Sequence, residues 1–250
     1  MRMRGRQGQA ATDLEPSKIK MWQPLGLALA VLLRAGVGPK LTAAQPQTDE
    51  EPLQLPELKT ELADLLMDIP NRGCGADKED AEDLLDIVVD MTRLNPNPEW
   101  DIAPCLAASY KLRYTSSKAF HTNQGLIGYA QSLNGITTPE LTMSIQTQYR
   151  LLTFTEPITY DQGSVAAFIG NLAGAQDVSA ECSWTKNAAG AMLVTANAIR
   201  TGQRSWVPAD KQAKSLRVMA ACTPIFLDEN FFILRGQIAE VLFVFERVAE

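Results

Sequence analysis

The sequence predicts a mainly β domain, an antiparallel barrel or sandwich preceded by two short amphipathic helices. Three observations carry this. From Leu106 onward, apolar and polar residues alternate with a period of two, and turn residues separate the runs. Roughly eight or nine such runs follow one another without intervening helices, which favours an antiparallel architecture over an α/β fold. The last stretch, Pro224 to Val248, is dense in aromatic and β-branched residues, and a strand this apolar must be covered because an exposed edge of that kind aggregates. Closing a barrel is the simplest cover.

Composition sets the limits. The chain has 250 residues, 46% of them hydrophobic, which fits one domain of roughly 150–200 residues plus a terminal extension. A net charge of −6 argues against nucleic-acid binding, which needs a basic face. The charge is uneven: Met1 to Lys40 is basic, and acid concentrates from Asp49 to Asp101. Residues 1–44 read as a targeting leader that is removed. Arg2, Arg4, Arg6, Lys18 and Lys20 precede an apolar run, Leu25 to Leu33, of the length of a signal-peptide core. Leu41-Thr42-Ala43-Ala44 supplies a small-residue cleavage site. Poverty in Ser, together with Asp13 and Glu15, departs from a plain plastid transit peptide. A two-part leader, first secretory and then plastid-directed, reconciles these features.

Residues 45–56 form a Pro- and acid-rich linker, and the folded domain is expected over 57–250. Leu58, Leu62, Leu65, Leu66 and Ile69 recur at helical spacing, predicting a helix over Glu57–Ile69 that Pro70 and Gly73 stop. Asp77 is a suitable N-cap for a second helix, whose apolar face is Leu84, Leu85, Val88, Met91 and Leu94. These helices, within 57–95, are expected to cover one end of a barrel over 106–249. Strands are expected at Leu106–Thr115, Leu126–Leu133, Leu141–Phe154, Ser164–Leu172, Val178–Trp184, Ala191–Ile199, Leu216–Cys222, Ile225–Leu234 and Val241–Val248. Asn134-Gly135, Asp161-Gln162-Gly163 and Ala189-Gly190 mark turns.

Little of the chemistry is catalytic in pattern. His121 is the only histidine, which rules out a histidine relay and a two-histidine metal site; it reads as a surface or loop-anchoring residue. Cys74, Cys105, Cys182 and Cys222 lack zinc-ligand spacing. Cys182 and Cys222 read as buried thiols, and Cys74 as the one most open to redox chemistry. No cofactor is expected and the protein reads as a non-enzyme.

Two groups of residues are candidates for binding. Asp228, Glu229, Arg235, Arg113 and Glu240 form a charged constellation. Strand pairing is expected to bring Asp228 and Arg235 together near the barrel rim. Such a pair either fixes the last hairpin or holds the polar head of an amphiphile. Tyr114, Phe154, Phe168, Trp184, Trp206, Phe231 and Phe243 supply large apolar surfaces for the core or for a cavity wall. Trp206, in a loop-like stretch followed by Lys211, Lys214 and Arg217, is a candidate contact for an anionic membrane surface.

Two stretches also resemble the plastid lipid-associated (PAP/fibrillin) family. One reads Phe226-Leu227-Asp228-Glu229, Ile233, Arg235-Gly236 and Phe243-Val244. The other, Leu65 to Ser117, carries Asn71-Arg72-Gly73, Asn95-Pro96-Asn97-Pro98 and Tyr110-Lys111-Leu112-Arg113-Tyr114-Thr115-Ser116. Together they cover under half of the chain. The resemblance implies a lipocalin-like, up-and-down barrel beside N-terminal helices. It also implies a plastid location at thylakoids or plastoglobules, and association with a prenyl lipid, quinone, carotenoid or glycolipid. The family's Gly-x-Trp element stands here as Ala108-Ser109-Tyr110, so the tyrosine hydroxyl needs a partner if buried. The leading expectation is a non-enzymatic protein that binds or organises small hydrophobic molecules. The alternative is a filled barrel whose acidic helices dock onto a protein partner in a photosynthetic membrane.

Overall fold

A computed structural model of the protein describes residues 54–74, 76–126, 128, 136–161, 176–207, 214–238 and 241–248. The helices come first, α1 (Leu55–Asp68) and α2 (Lys78–Arg93). Eight strands follow that form the barrel: β1 (Ser109–Thr115), β3 (Thr142–Gln146), β4 (Leu151–Pro157), β6 (Asp177–Lys186), β7 (Met192–Thr201), β9 (Ala221–Leu227), β10 (Phe231–Gly236) and β11 (Leu242–Arg247). They pair in the order β6-β4-β3-β1-β11-β10-β9-β7, and a β6–β7 pairing closes the ring. Every pairing is antiparallel. A short β8 (Arg204–Trp206) extends β7 as a hairpin, and β2 (Ile136–Thr137) pairs with β5 (Thr159–Tyr160) in a separate ribbon. Two short helices, α3 (Lys118–Thr122) and α4 (Lys214–Val218), complete the described elements.

The barrel has one wall that is buried on both faces. Across β9, β10, β11 and β1, the register aligns Leu227, Phe232, Phe245 and Leu112 in one row, and Phe226, Ile233, Val244 and Tyr114 in the next. The first row belongs to the lumenal core. The second belongs to a separate cluster with Leu58, Leu62 and Leu66 of α1 and Leu84, Val88 and Met91 of α2. Continuous apolar runs are what strands covered on both sides require. This is why Phe231 to Leu234 and Leu242 to Phe245 are apolar without alternation. The helices therefore lie along the outer flank of this wall and not over one end of the barrel, as the sequence had suggested.

A β-bulge decides the fate of Tyr114. Leu112 pairs with Phe245 and Tyr114 with Val244, leaving Arg113 as the extra residue. Strict alternation would send Tyr110, Leu112 and Tyr114 into the lumen together. The bulge turns Tyr114 outward, beneath the helices. Tyr110 stays inside, 5.5 Å from the Phe232 ring, and its hydroxyl donates to the Cys105 carbonyl at 2.5 Å. That bond meets the need of a buried tyrosine hydroxyl for a partner.

Side chains tie the helical layer to the wall. Asn95 donates to the Ile225 carbonyl and accepts from Leu227 N, both at 3.2 Å, and Asn97 donates to the Leu227 carbonyl at 2.9 Å. Local signals start the helices, the second at the expected Asp77 and the first two residues earlier than expected, at Leu55. Asp77 Oδ1 accepts from Asp80 N at 2.9 Å, and Gln54 N donates to Glu57 at 3.0 Å.

Several expected strands change. Leu141–Phe154 is two strands, broken by the turn Thr147–Tyr149 and by Arg150 at φ +51°. Ile225–Leu234 is the β9–β10 hairpin, bent at Asp228–Asn230. Leu216 lies in α4, not in a strand, because Leu216 and Met219 reach the lumenal core from successive turns. Trp206 ends strand β8 and does not sit in a loop. Most of Leu126–Leu133 and all of Ser164–Leu172 lie outside the described residues, as do Phe168, Asn134-Gly135 and Gln162-Gly163.

The doubly buried wall should dominate stability. Phe226→Ala, on the outer row, and Phe243→Ala, on the lumenal side, are each expected to cost about 3–5 kcal/mol in urea unfolding. Leu151→Ala, at a position 42% exposed, is expected to change stability by under about 0.5 kcal/mol.

Candidate functional site

Among the described residues, the lumenal side of the barrel is lined by packed side chains. Tyr110, Met143, Phe154, Trp184, Phe232, Phe243 and Phe245 all belong to its core, each no more than 3% exposed. A cleft of about 500 Å³ instead lies where the turn after α1 meets α3 and the segment before β3. Asn71, Arg72, Cys74, Phe120, His121, Gln124, Thr138 and Pro139 line it.

Backbone strain builds this cleft. Pro70 ends α1, and the next three residues all have positive φ: Asn71 at +48°, Arg72 at +60° and Gly73 at +92°. Asn visits this region readily, whereas Arg pays of order 1–3 kcal/mol. Gly73 is required, because a Cβ there would stand 2.8 Å from the Thr115 carbonyl oxygen and from the Tyr114 ring. The opposite loop is bent in the same sense at Gln124, φ +54°, and Gly125, φ +155°. Between them α3 is capped by Ser117, whose hydroxyl accepts from Phe120 N at 3.2 Å, and this sets Phe120 and His121 in place.

Arg72 is the centre of the site. Its Nη2 donates to the Thr138 carbonyl at 2.8 Å, and its guanidinium lies 4.9 Å from the centre of the Phe120 ring. Nε and Nη1 are buried without a hydrogen-bond partner. Burial lowers the Arg72 pKa, opposed by the negative field of Glu156. Glu156 is itself fully buried, at the last lumen-facing position of β4, and accepts from Leu126 N at 2.6 Å. A Cβ on Gly125 would fall 2.5 Å from this carboxylate and 2.9 Å from the Thr138 hydroxyl. Glycine at this position lets the carboxylate, Thr138 and the loop crowd together. His121 Nε2 is also buried and unpartnered. Burial depresses the His121 pKa and the Arg72 charge adds to this, against the backbone carbonyls of Arg72 and Thr115.

Of the residues singled out from sequence, Asp228 and Arg235 are not brought together. Asp228 caps the β9–β10 turn, accepting from Asn230 N and Phe231 N at 2.8 Å each, and its other oxygen meets Lys59 of α1 at 2.8 Å. Arg235 lies exposed at the far end of β10, opposite Thr223. The hairpin's turn and its far end cannot share an ion pair. Arg113 pairs with Glu246 at 3.3 Å, while Tyr114 and Phe231 lie under the helices. Glu229 is exposed, and Glu240 lies outside the described residues. Trp206 packs against the lumenal core. Lys211 and the Lys214 side chain lie outside the described residues. Cys182 and Cys222 are buried thiols, each pushed up to about 12 by burial, and Cys74 is exposed at the cleft; all four cysteines are free.

The sequence reading missed Arg72 and Glu156 as a site. Glu156 did leave a signal: it continues the inward face of Leu152 and Phe154, where a carboxylate is out of place. Outside the barrel, a second groove of about 960 Å³ runs between α1 and α2. Glu57, Glu61, Asp64, Asp68, Asp83, Asp86 and Asp90 line it, with Leu58 and Ile87 at its floor.

The depressed His121 pKa gives a stability prediction with a definite sign. The unfolded chain protonates His121 near its ordinary pKa of 6.5, and the folded protein holds it neutral to lower pH. Its contribution is therefore complete above about pH 6.5 and is lost as pH falls toward the folded pKa. His121→Gln is expected to flatten the fall in Tm between about pH 7 and 5.5. An unchanged slope contradicts a neutral, buried imidazole.

Compared with models of known protein families the chain matches none, and no curated protein proves similar to it, so the resemblance to plastid lipid-associated proteins rests on its two matching stretches.

Proposed function

We propose that the protein is a non-enzymatic binding module that holds a small amphiphile in the Arg72 cleft at the edge of the barrel, and not in its lumen. The observation that carries this reading is Arg72, half-buried in the lining of a 500 Å³ cleft, with two buried nitrogens that lack hydrogen-bond partners. Buried polar atoms without partners are uncommon and costly, and they are expected where a ligand or water completes the set. The cleft volume falls in the ordinary range for small-molecule sites, about 300–1,000 Å³. Phe120 and Pro139 give it apolar wall, and Arg72, His121 and Thr138 give it polar points. The resemblance directs the choice of ligand toward prenyl lipids, quinones, carotenoids or glycolipids, at thylakoids or plastoglobules after removal of a leader. Peripheral attachment to those membranes belongs to the same reading.

A second reading is favoured by the acidic groove between α1 and α2. Among the described residues, seven carboxylates line it and no basic residue does. A filled barrel with such a flank suits a scaffold that docks a basic protein surface in a photosynthetic membrane.

Native mass spectrometry of the full chain, purified from a photosynthetic host, separates the two. The binding reading expects a stoichiometric small molecule that Arg72→Gln loses while Tm falls little. A clean apo mass with a co-purifying protein contradicts it and favours the scaffold.

A further inference from the structure

We infer that the end of the barrel opposite the Arg72 cleft is a membrane-contact surface that seats on the interface of an anionic lipid bilayer. This gives a surface to the peripheral attachment in the reading above and rests on that part of it, independently of the cleft. Three segments meet at this end. The turn Thr147–Tyr149 leads into β4, residues 187–191 join β6 to β7, and residues 100–108 lead into β1. Hydrogen bonds set them side by side. Trp184 N donates to the Arg150 carbonyl at 3.0 Å, Trp100 Nε1 to the Gly190 carbonyl at 2.9 Å, and Ile145 N to the Ala108 carbonyl at 3.0 Å. Large apolar side chains stand exposed on or beside these segments: Ile102 at 71%, Tyr149 at 65%, and Leu151 and Leu193 at 42% and 36%.

Exposed apolar residues scattered singly need no explanation, but here cations accompany them. The Arg150 guanidinium lies 5.8 Å from the centre of the Trp184 ring, and Lys186 Nζ 5.9 Å from that of Trp100. The two indoles pack on each other below, 5.6 Å apart, as a rigid floor. Basic heads beside exposed Tyr, Ile and Leu form the kind of anchor that holds a protein at head-group level. Arg150 keeps its place in a left-handed conformation, φ +51°, which costs a non-glycine residue free energy. Charge decides which surface this end meets. The chain carries −6, and the seven carboxylates of the helical groove flank the β9, β10, β11 and β1 wall. Leu151, Lys186 and Leu193 belong to β4, β6 and β7, across the ring from that wall, and Arg150 immediately precedes β4. Anionic head groups are repelled by the helical flank and attracted by Arg150, while Asp101 at 2.5 Å offsets Lys186. Separate apolar points suit a fluid bilayer, which takes each one without a matched shape, whereas a protein partner needs complementarity.

Flotation of the full chain with vesicles of phosphatidylglycerol mixed equally with phosphatidylcholine, followed by hydroxyl-radical footprinting of the bound protein, tests this. Ile102, Tyr149, Leu151 and Leu193 are expected to lose their oxidation on binding. Ile102→Ser with Tyr149→Ser should weaken binding at least about tenfold, and Tm should hold because both positions are exposed. Arg150→Gln should weaken binding to the anionic vesicles by about fivefold and leave binding to pure phosphatidylcholine unchanged. Binding that protects only other residues, those of 1–53 included, overturns this surface and leaves the attachment standing. Absence of flotation overturns both and leaves ligand binding at the Arg72 cleft untouched. Protection of the same four residues without vesicles, rising with protein concentration, assigns the surface to a second copy of the chain and overturns the inference.

Discussion

The structure depends on one wall that is dry on both sides. From Phe231 to Leu234 and from Leu242 to Phe245, strands β10 and β11 have no solvent face, because the lumenal core takes Phe232, Leu234, Phe243 and Phe245, and the helices take Phe231, Ile233, Leu242 and Val244. Without α1 and α2 the wall's outer row would be a large exposed apolar surface, and without ring closure its inner row would be. The polar ties are placed at its margins: Lys59 to Asp228 at the hairpin, and Asn95 and Asn97 to the end of β9. They fix register and the seating of the helices, while the hydrophobic rows supply most of the stabilisation.

That wall also explains why the cleft lies where it does. Seating α1 against the strands brings its C-terminal end next to β1, and the chain must turn at once to reach α2. The turn is made by Asn71, Arg72 and Gly73 in left-handed conformations, with Gly73 pressed on Thr115 and Tyr114. The strain aims Arg72 toward the loop over the end of β4, where Glu156 waits at the last inward position. A guanidinium held there by one carbonyl, one ring and one distant carboxylate keeps donors in reserve. Strained backbone and unmet donors at the same place are features that functional sites share.

The sequence made some of this legible. Both N-terminal helices, the Asp77 cap, the stop of the first helix at Pro70, the β-rich remainder and the density of the last stretch follow from local pattern, and the structure has them, though α1 begins at Leu55, within the expected linker. The sites did not follow, for physical reasons that can be named. Alternation placed Tyr114 with Tyr110 and Leu112, and a bulge at Arg113, which pattern does not show, moved it to the other face. Asp228 and Arg235 were expected to meet through strand pairing, yet a hairpin bend sends Asp228 to Lys59, a residue of α1 far away along the chain. Arg72 was visible only as part of a motif, because its counter-charge comes from a distant strand. Burial on both faces of a strand could have been read from the unbroken apolar runs, and a carboxylate after Leu152 and Phe154 could have been read as a buried charge.

Locating the bound molecule tests the central claim most directly. The full chain would be illuminated with a methyl ketone carrying a diazirine in its tail, and the labelled residues would be read by peptide mass spectrometry. A site at the Arg72 edge predicts labels at Phe120, Thr138 and Pro139 that Arg72→Gln removes. Labels on Phe154, Trp184 or Phe243 would place the molecule in the lumen and contradict the account.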